Sequence, residues 1–287
     1  MLSLTFFVNN VLRKLTVLHV ILFVLTLVST LIAGVLQKGI NPINEPARLY
    51  EGLPFALTLL TILMAHELAH YVASIRHNTI ATLPYFIPGP SIFGTFGAFI
   101  KMKSPITTRT ALIDIGASGP IAGFVVSVAA VVCGLFYSDV VEIHEGAAFT
   151  LGDSLLFYIL TKIIVGTPPA GFDILLSPVA FAGWIGFLVT SLNLLPVGQL
   201  DGGHIVYAIV NDVHTWISRS LIVVLGLMGI GLWEGWLTWA VLLLVLGIQH
   251  PPVLFKDIPL QPSRRKTAVI SLSIFILTFT PQPFKAF

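Results

Sequence analysis

The stretch His66-Glu67-Leu68-Ala69-His70 sets two histidines four residues apart, with a glutamate directly after the first. On a helix, residues i and i+4 share one face, so both imidazoles can reach one ion. Neutral imidazoles suit zinc, and a catalytic zinc takes three protein ligands and keeps one position open for water. Glu67 lies about 100° round the helix from His66, off the ligand face but near enough to take a proton from that water. The spacing is the H-E-x-x-H pattern of metal-assisted hydrolysis. The bland alternative is a histidine pair and a glutamate satisfying one another inside a helix bundle. Against it stands the apolar run around them, residues 53–74. Ionisable groups are costly in such a run and read by default as functional.

A second chemistry-bearing stretch, residues 193–204, carries Asn193, Pro196, Gly198, Asp201, Gly202, Gly203 and His204. Its proline and glycines imply broken helix, tolerated at membrane depth only against protein or a cavity. Asp201 could be the missing third ligand of a two-histidine zinc site. Asp201 with Gly202 and Gly203 is also ordinary turn chemistry. His204 competes for the ligand role, because i and i+3 share a face if helix resumes at Asp201. The Asn193 amide could hydrogen-bond a peptide or its oxyanion, or glue two helices together.

The elements that must position these groups follow from composition. The chain has 287 residues, 56% of them apolar and 10% charged. Soluble domains run to about 25% charged. The expected class is an all-α polytopic membrane protein of about six to seven transmembrane helices, each near the roughly 20 residues a bilayer requires. Spans are expected near 15–35, 53–75, 113–137, 179–195, 217–233, 236–248 and 268–280. The run 155–165 is too short to cross and reads as interfacial or re-entrant. A net charge of +2 gives no case for nucleic acid as a partner. A single cysteine, Cys133, excludes an intrachain disulfide and reads as a buried structural thiol. Trp216, Trp233, Trp236 and Trp239 read as interfacial anchors.

Residues 78–105 stand apart. Pro84, Pro88, Gly89, Pro90, Gly94, Gly97 and Pro105 break helix. Between them lie short β-prone pieces, 83–87 and 96–102. The expected structure is a small membrane-associated hairpin near residues 80–103, dipping toward the site. Strands cannot face lipid unpaired, so protein or a cavity must cover it. Phe99 and Ile100 on its second piece are candidates for holding an extended peptide by strand addition. In the next span, Gly116, Gly119, Pro120 and Gly123 suit close packing against the histidine helix. Asp114 reads as an N-terminal cap. Ser118 lacks a base partner for a nucleophile's role.

Lys and Arg favour the cytoplasm in short loops. Arg13 and Lys14 then place the N-terminus inside, and His66 and His70 arrive near the cytoplasmic face. The basic residues Arg76, Lys101, Lys103 and Arg109 agree, as do Lys256, Arg264, Arg265 and Lys266. The acidic 138–177 region, with Glu145 among its carboxylates, falls outside. Asp201 returns to the depth of the histidines only if 155–165 does not cross. Lys38 and Arg48 dissent mildly.

Together, His66-Glu67-Leu68-Ala69-His70 and the later Asn193, Pro196, Asp201 and Gly202 resemble the site-2 protease family of intramembrane zinc metalloproteases. The resemblance covers about residues 50–210, within a single membrane domain spanning 1–287. It is similar to a compact form without an inserted PDZ or appended CBS module. It implies that His66, His70 and Asp201 bind one zinc ion per chain and that Glu67 is the general base. It implies a role for Asn193 in positioning substrate. The implied reaction is peptide hydrolysis in or near transmembrane segments of other membrane proteins, in contact with the lipid bilayer. A membrane metal transporter using the same cluster for transit is the alternative. It has no need of Glu67 as a base, and His77, His144, His214 and His250 fall in loops or at span ends rather than along a path.

Overall fold

The computed structural model describes residues 14–142, 150–255 and 257–285; Arg13, His144, Glu145 and Lys256 lie outside them. Apolar runs become helices: α1 Val17–Gln37, α2 Leu53–Arg76, α3 Arg109–Leu135, α4 Leu155–Ile164, α5 Pro178–Asn193, α6 Asp201–Val210, α7 His214–Gly231, α8 Gly235–Leu246 and α9 Pro262–Thr278. Among the described residues, α1, α2 with the 3-10 turn before it, α3 and α7 are long and apolar enough to cross a membrane. At 1.5 Å per residue, ten-residue α4 reaches only about 15 Å, half a hydrocarbon core.

At the middle of the bundle α2 packs against α1, α3 and α5, and α3 in turn packs against α5, α6 and α9. Phe55, Leu59, Leu60 and Leu63 of α2 meet Val131 and Leu135 of α3 and Trp184, Ile185 and Leu188 of α5. Outward-facing Val24, Val223, Val241 and Val245 remain exposed. In lipid these cost nothing, and packing rather than water exclusion holds the helices together. Small residues permit it: a side chain at Gly134 would strike the Ala180 backbone, and one at Gly186 would strike Ser127.

The hairpin forms where expected, slightly shorter. β1 Tyr85–Pro88 pairs antiparallel with β2 Thr95–Phe99, with Tyr85 opposite Phe99, and an isolated bridge joins Ala81 to Met102. Protein covers it on the α1 side. His19 stacks on Tyr85 at 4.1 Å, Phe23 meets Phe86 edge-on, and Ser29 Oγ donates to the Gly94 carbonyl at 2.6 Å. Two further strand pairs form outside that region: β3 Asp139–Glu142 with β5 Phe172–Leu175, and β4 Thr150–Leu151 with β6 Phe284–Lys285.

Three side-chain readings change. Thr108 caps α3, accepting from the Ala111 amide, and Asp114 instead sits inside the helix. There it accepts from Arg264 through both carboxylate oxygens, 3.0 and 2.6 Å, and stands 2.9 Å from His77 Nε2. Cys133 is exposed on α3 rather than buried. Trp236 is fully buried, its indole donating to the Pro281 carbonyl, so it is a core residue and not an anchor.

Candidate metal centre

Leu53 to Arg76 stays helical through the whole motif, which brings His66 and His70 onto one face. The chain then has to return a carboxylate to them. α5 ends at Asn193, residues 194–200 bend, and α6 begins at Asp201. The bend needs bare backbone: Gly198 has φ +52°, and a side chain at Gly202 would collide with the Leu194 carbonyl. Arg109 fixes the far end of α6, donating to the carbonyls of Ala208 (2.6 Å) and Ile209 (3.1 Å). Asp201 thus enters the site from the first turn of a helix, where a carboxylate is favoured.

The three side chains close a triangle. His66 Nε2 lies 3.0 Å from His70 Nε2, and Asp201 Oδ2 lies 3.2 and 3.3 Å from them. Three donors each about 2.05 Å from one ion, at tetrahedral angles, would stand about 3.3 Å apart. The fit is to zinc. Among the described residues this is the one group of three ligands already gathered. His70 Nδ1 donates to the Ile115 carbonyl at 2.7 Å, which leaves the Nε2 lone pair facing the centre. Ser118 Oγ donates to the same carbonyl, a structural bond rather than a nucleophile's environment.

α3 supplies the wall. Gly119 lies against the His70 ring and Gly123 against His66, where a Cβ would come 3.1 Å from its Nδ1, and Gly116 lies under the His204 Cβ and Asp201 carbonyl. A side chain at Gly119 would occupy the space of the imidazole. His66, Glu67 and His70 are only 4, 7 and 6% exposed, so the centre is screened from bulk solvent. Glu67 sits within electrostatic reach of all three ligands, and the Ile100 backbone amide interacts with its carboxyl. Asn193 Nδ2 stands 3.4 Å from His66 Nε2, at the rim of the centre. Phe99, one residue before Ile100, is 46% exposed and forms no part of the triangle. His204 is not brought in. Helix does resume at Asp201, but His204 Nδ1 turns to His250 Nε2, 2.7 Å away. His214 and His250 join it there, a grouping that spacing along the chain gave no sign of.

A buried two-histidine, one-aspartate triangle with a glutamate beside it, set in apolar helices, is a group that could hold one metal ion inside a multi-pass membrane protein. The chain matches the family model of peptidase family M50 over residues 54–230, and it belongs to that family. It is similar to two Arabidopsis thaliana proteins named probable zinc metalloprotease EGY1, chloroplastic and EGY2, chloroplastic. The first is 32% identical over 239 residues, covering 80% of this chain and 43% of the relative; the second is 30% identical over 243 residues, covering 82% and 43%. The EGY1 protein of Oryza sativa subsp. japonica is 28% identical over 241 residues, 80% and 40%. The chain therefore spans less than half the length of these relatives. Family membership does not favour the transporter alternative.

Proposed function

We propose that this chain is a zinc metalloendopeptidase that cleaves transmembrane segments of other membrane proteins. One observation carries the reading: a ligand triangle of zinc dimensions with Glu67 beside it, facing the Ile100 amide one residue past β2. His66, His70 and Asp201 would hold the ion, which when bound polarises a carbonyl and acidifies water. Glu67 takes the proton released at the centre and hands it to the leaving amine. Asn193 donates its amide toward the scissile carbonyl oxygen. A transmembrane helix is hydrogen-bonded throughout and must unwind before attack. β2 has one edge without a strand partner among the described residues, and an unwound peptide can pair there. The test is the full chain in detergent with a single-span substrate. Cleavage sites mapped by mass spectrometry should fall within the span, disappear on chelation and return with zinc. Cleavage confined to soluble loops would overturn the reading.

The clamp has its own expected result. Phe99→Pro and Ile100→Pro should each slow cleavage with zinc content unchanged, because proline removes an amide donor. One lost backbone bond, about 1 kcal/mol, corresponds to about five-fold in rate. Ile100→Pro should cost more, since that amide also meets Glu67. Unchanged rates in both would make residues 83–102 merely a loop.

In the same reading, all described residues form one membrane domain with its core at about 50–210. α1, α2, α3, α5, α7, α8 and α9 cross, α4 is re-entrant, and the centre lies toward the cytoplasmic face. Lys101 and Lys103 in the loop after α2, and Arg264, Arg265 and Lys266 at the start of α9, support that orientation. Single cysteines at Asp139 and Asp173, in a Cys133→Ala background, should react with impermeant reagent only from the non-cytoplasmic side. Labelling from the cytoplasm would reverse the topology.

A further inference from the structure

One turn along α6 from Asp201, three histidines from three different elements meet. His204 comes from α6, His214 opens α7, and His250 lies in the loop after α8. His204 and His250 repeat the geometry of the first centre. Their ring centroids are 4.9 Å apart at 84° and their facing nitrogens 2.7 Å apart; for His66 and His70 the values are 4.8 Å, 69° and 3.0 Å. His250 is oriented as a ligand would be: its Nδ1 donates to the Pro251 carbonyl at 2.6 Å, so Nε2 presents a lone pair. His214 is 1% exposed, and neither of its ring nitrogens has a hydrogen-bond partner. A buried polar group left so is a cost that a bound ion or a hydrogen-bond partner would remove. Its ring stands 5.9 Å from that of His250, edge-on, with Tyr207 stacked on His250 at 4.1 Å.

We propose that His204, His250 and His214 form a second metal site, for a divalent transition ion of the imidazole-preferring kind, with zinc as its ordinary occupant. Two of the ligands are already placed; a turn of the His214 side chain completes the set and satisfies its orphan nitrogens. Imidazole ligands without thiolates suit zinc, nickel or copper(II) rather than magnesium or calcium. Burial holds the His250 pKa down to about 4, so at neutral pH its ring is in the neutral, ligating form. An ion here would tie α6, and with it Asp201, to the start of α7 and to the loop before α9. The site does not depend on the proposed proteolysis.

The test is zinc per chain, measured by elemental analysis on the full chain in detergent. Wild type should hold two equivalents, Asp201→Ala one, His250→Gln one, and the two substitutions together none. His204→Gln should match His250→Gln, which guards against one variant failing to fold. One equivalent in wild type with none in Asp201→Ala would overturn the second site and leave His204 and His250 as a hydrogen-bonded pair. Failure of the protease assay with these stoichiometries intact would sink only the proposed activity.

Discussion

Glu67→Gln should abolish cleavage of a transmembrane substrate while zinc content stays at the wild-type value. Glu67 follows His66 on α2 and is not one of the three gathered ligands. Glutamine keeps the shape and the contact to the Ile100 amide but cannot carry a proton. A positioned acid or base contributes about 10²–10⁴ in rate, about 3–5 kcal/mol of barrier. With Glu67 serving both the water and the leaving amine in the proposed mechanism, the loss should lie at the upper end. The measurement is single-turnover cleavage beside elemental analysis of the same sample. Turnover within ten-fold of wild type would remove Glu67 from the chemistry. Loss of zinc along with activity would recast it as a ligand.

Asp201→Ala should reduce cleavage to background and release the ion shared with His66 and His70. Two histidines alone leave a zinc site one ligand short. The carboxylate also offsets part of the ion's charge, which counts for more in a buried setting than in water. Adding His66→Ala to Asp201→Ala should remove no further zinc, because both groups serve one ion. Further loss in the double variant would place them on different ions. His204 is the rival. If His204→Ala abolished cleavage while Asp201→Ala retained a substantial part of it, the third ligand would move to His204.

The gathering of the candidate ligands is largely legible in the chain. Histidines four apart in an apolar run leave little freedom, because helix periodicity alone puts them on one face. The hairpin was legible from prolines and glycines that forbid helix between 78 and 105. Side-chain surroundings were less so. Asp114 reads as a cap from its place near the head of a span, yet its partner Arg264 is 150 residues away. Trp236 reads as an anchor from residue type, yet it is buried against Pro281. Cys133 reads as buried from its apolar run, but in a membrane helix an apolar run does not say which face meets lipid.

By itself, then, the sequence determined the membrane class, the helix carrying His66, Glu67 and His70, and the break that delivers Asp201. Local rules of period, propensity and charge cost are enough for those. Only the tertiary structure decided which of Asp201 and His204 closes the triangle, because both follow from one helix start and differ only in what faces them. It also decided that Gly119 and Gly123 make room for the imidazoles and that Ile100 reaches Glu67. It alone gathered His204, His214 and His250. Each of these is a meeting of segments far apart in the chain, and packing geometry, not spacing, brings them together.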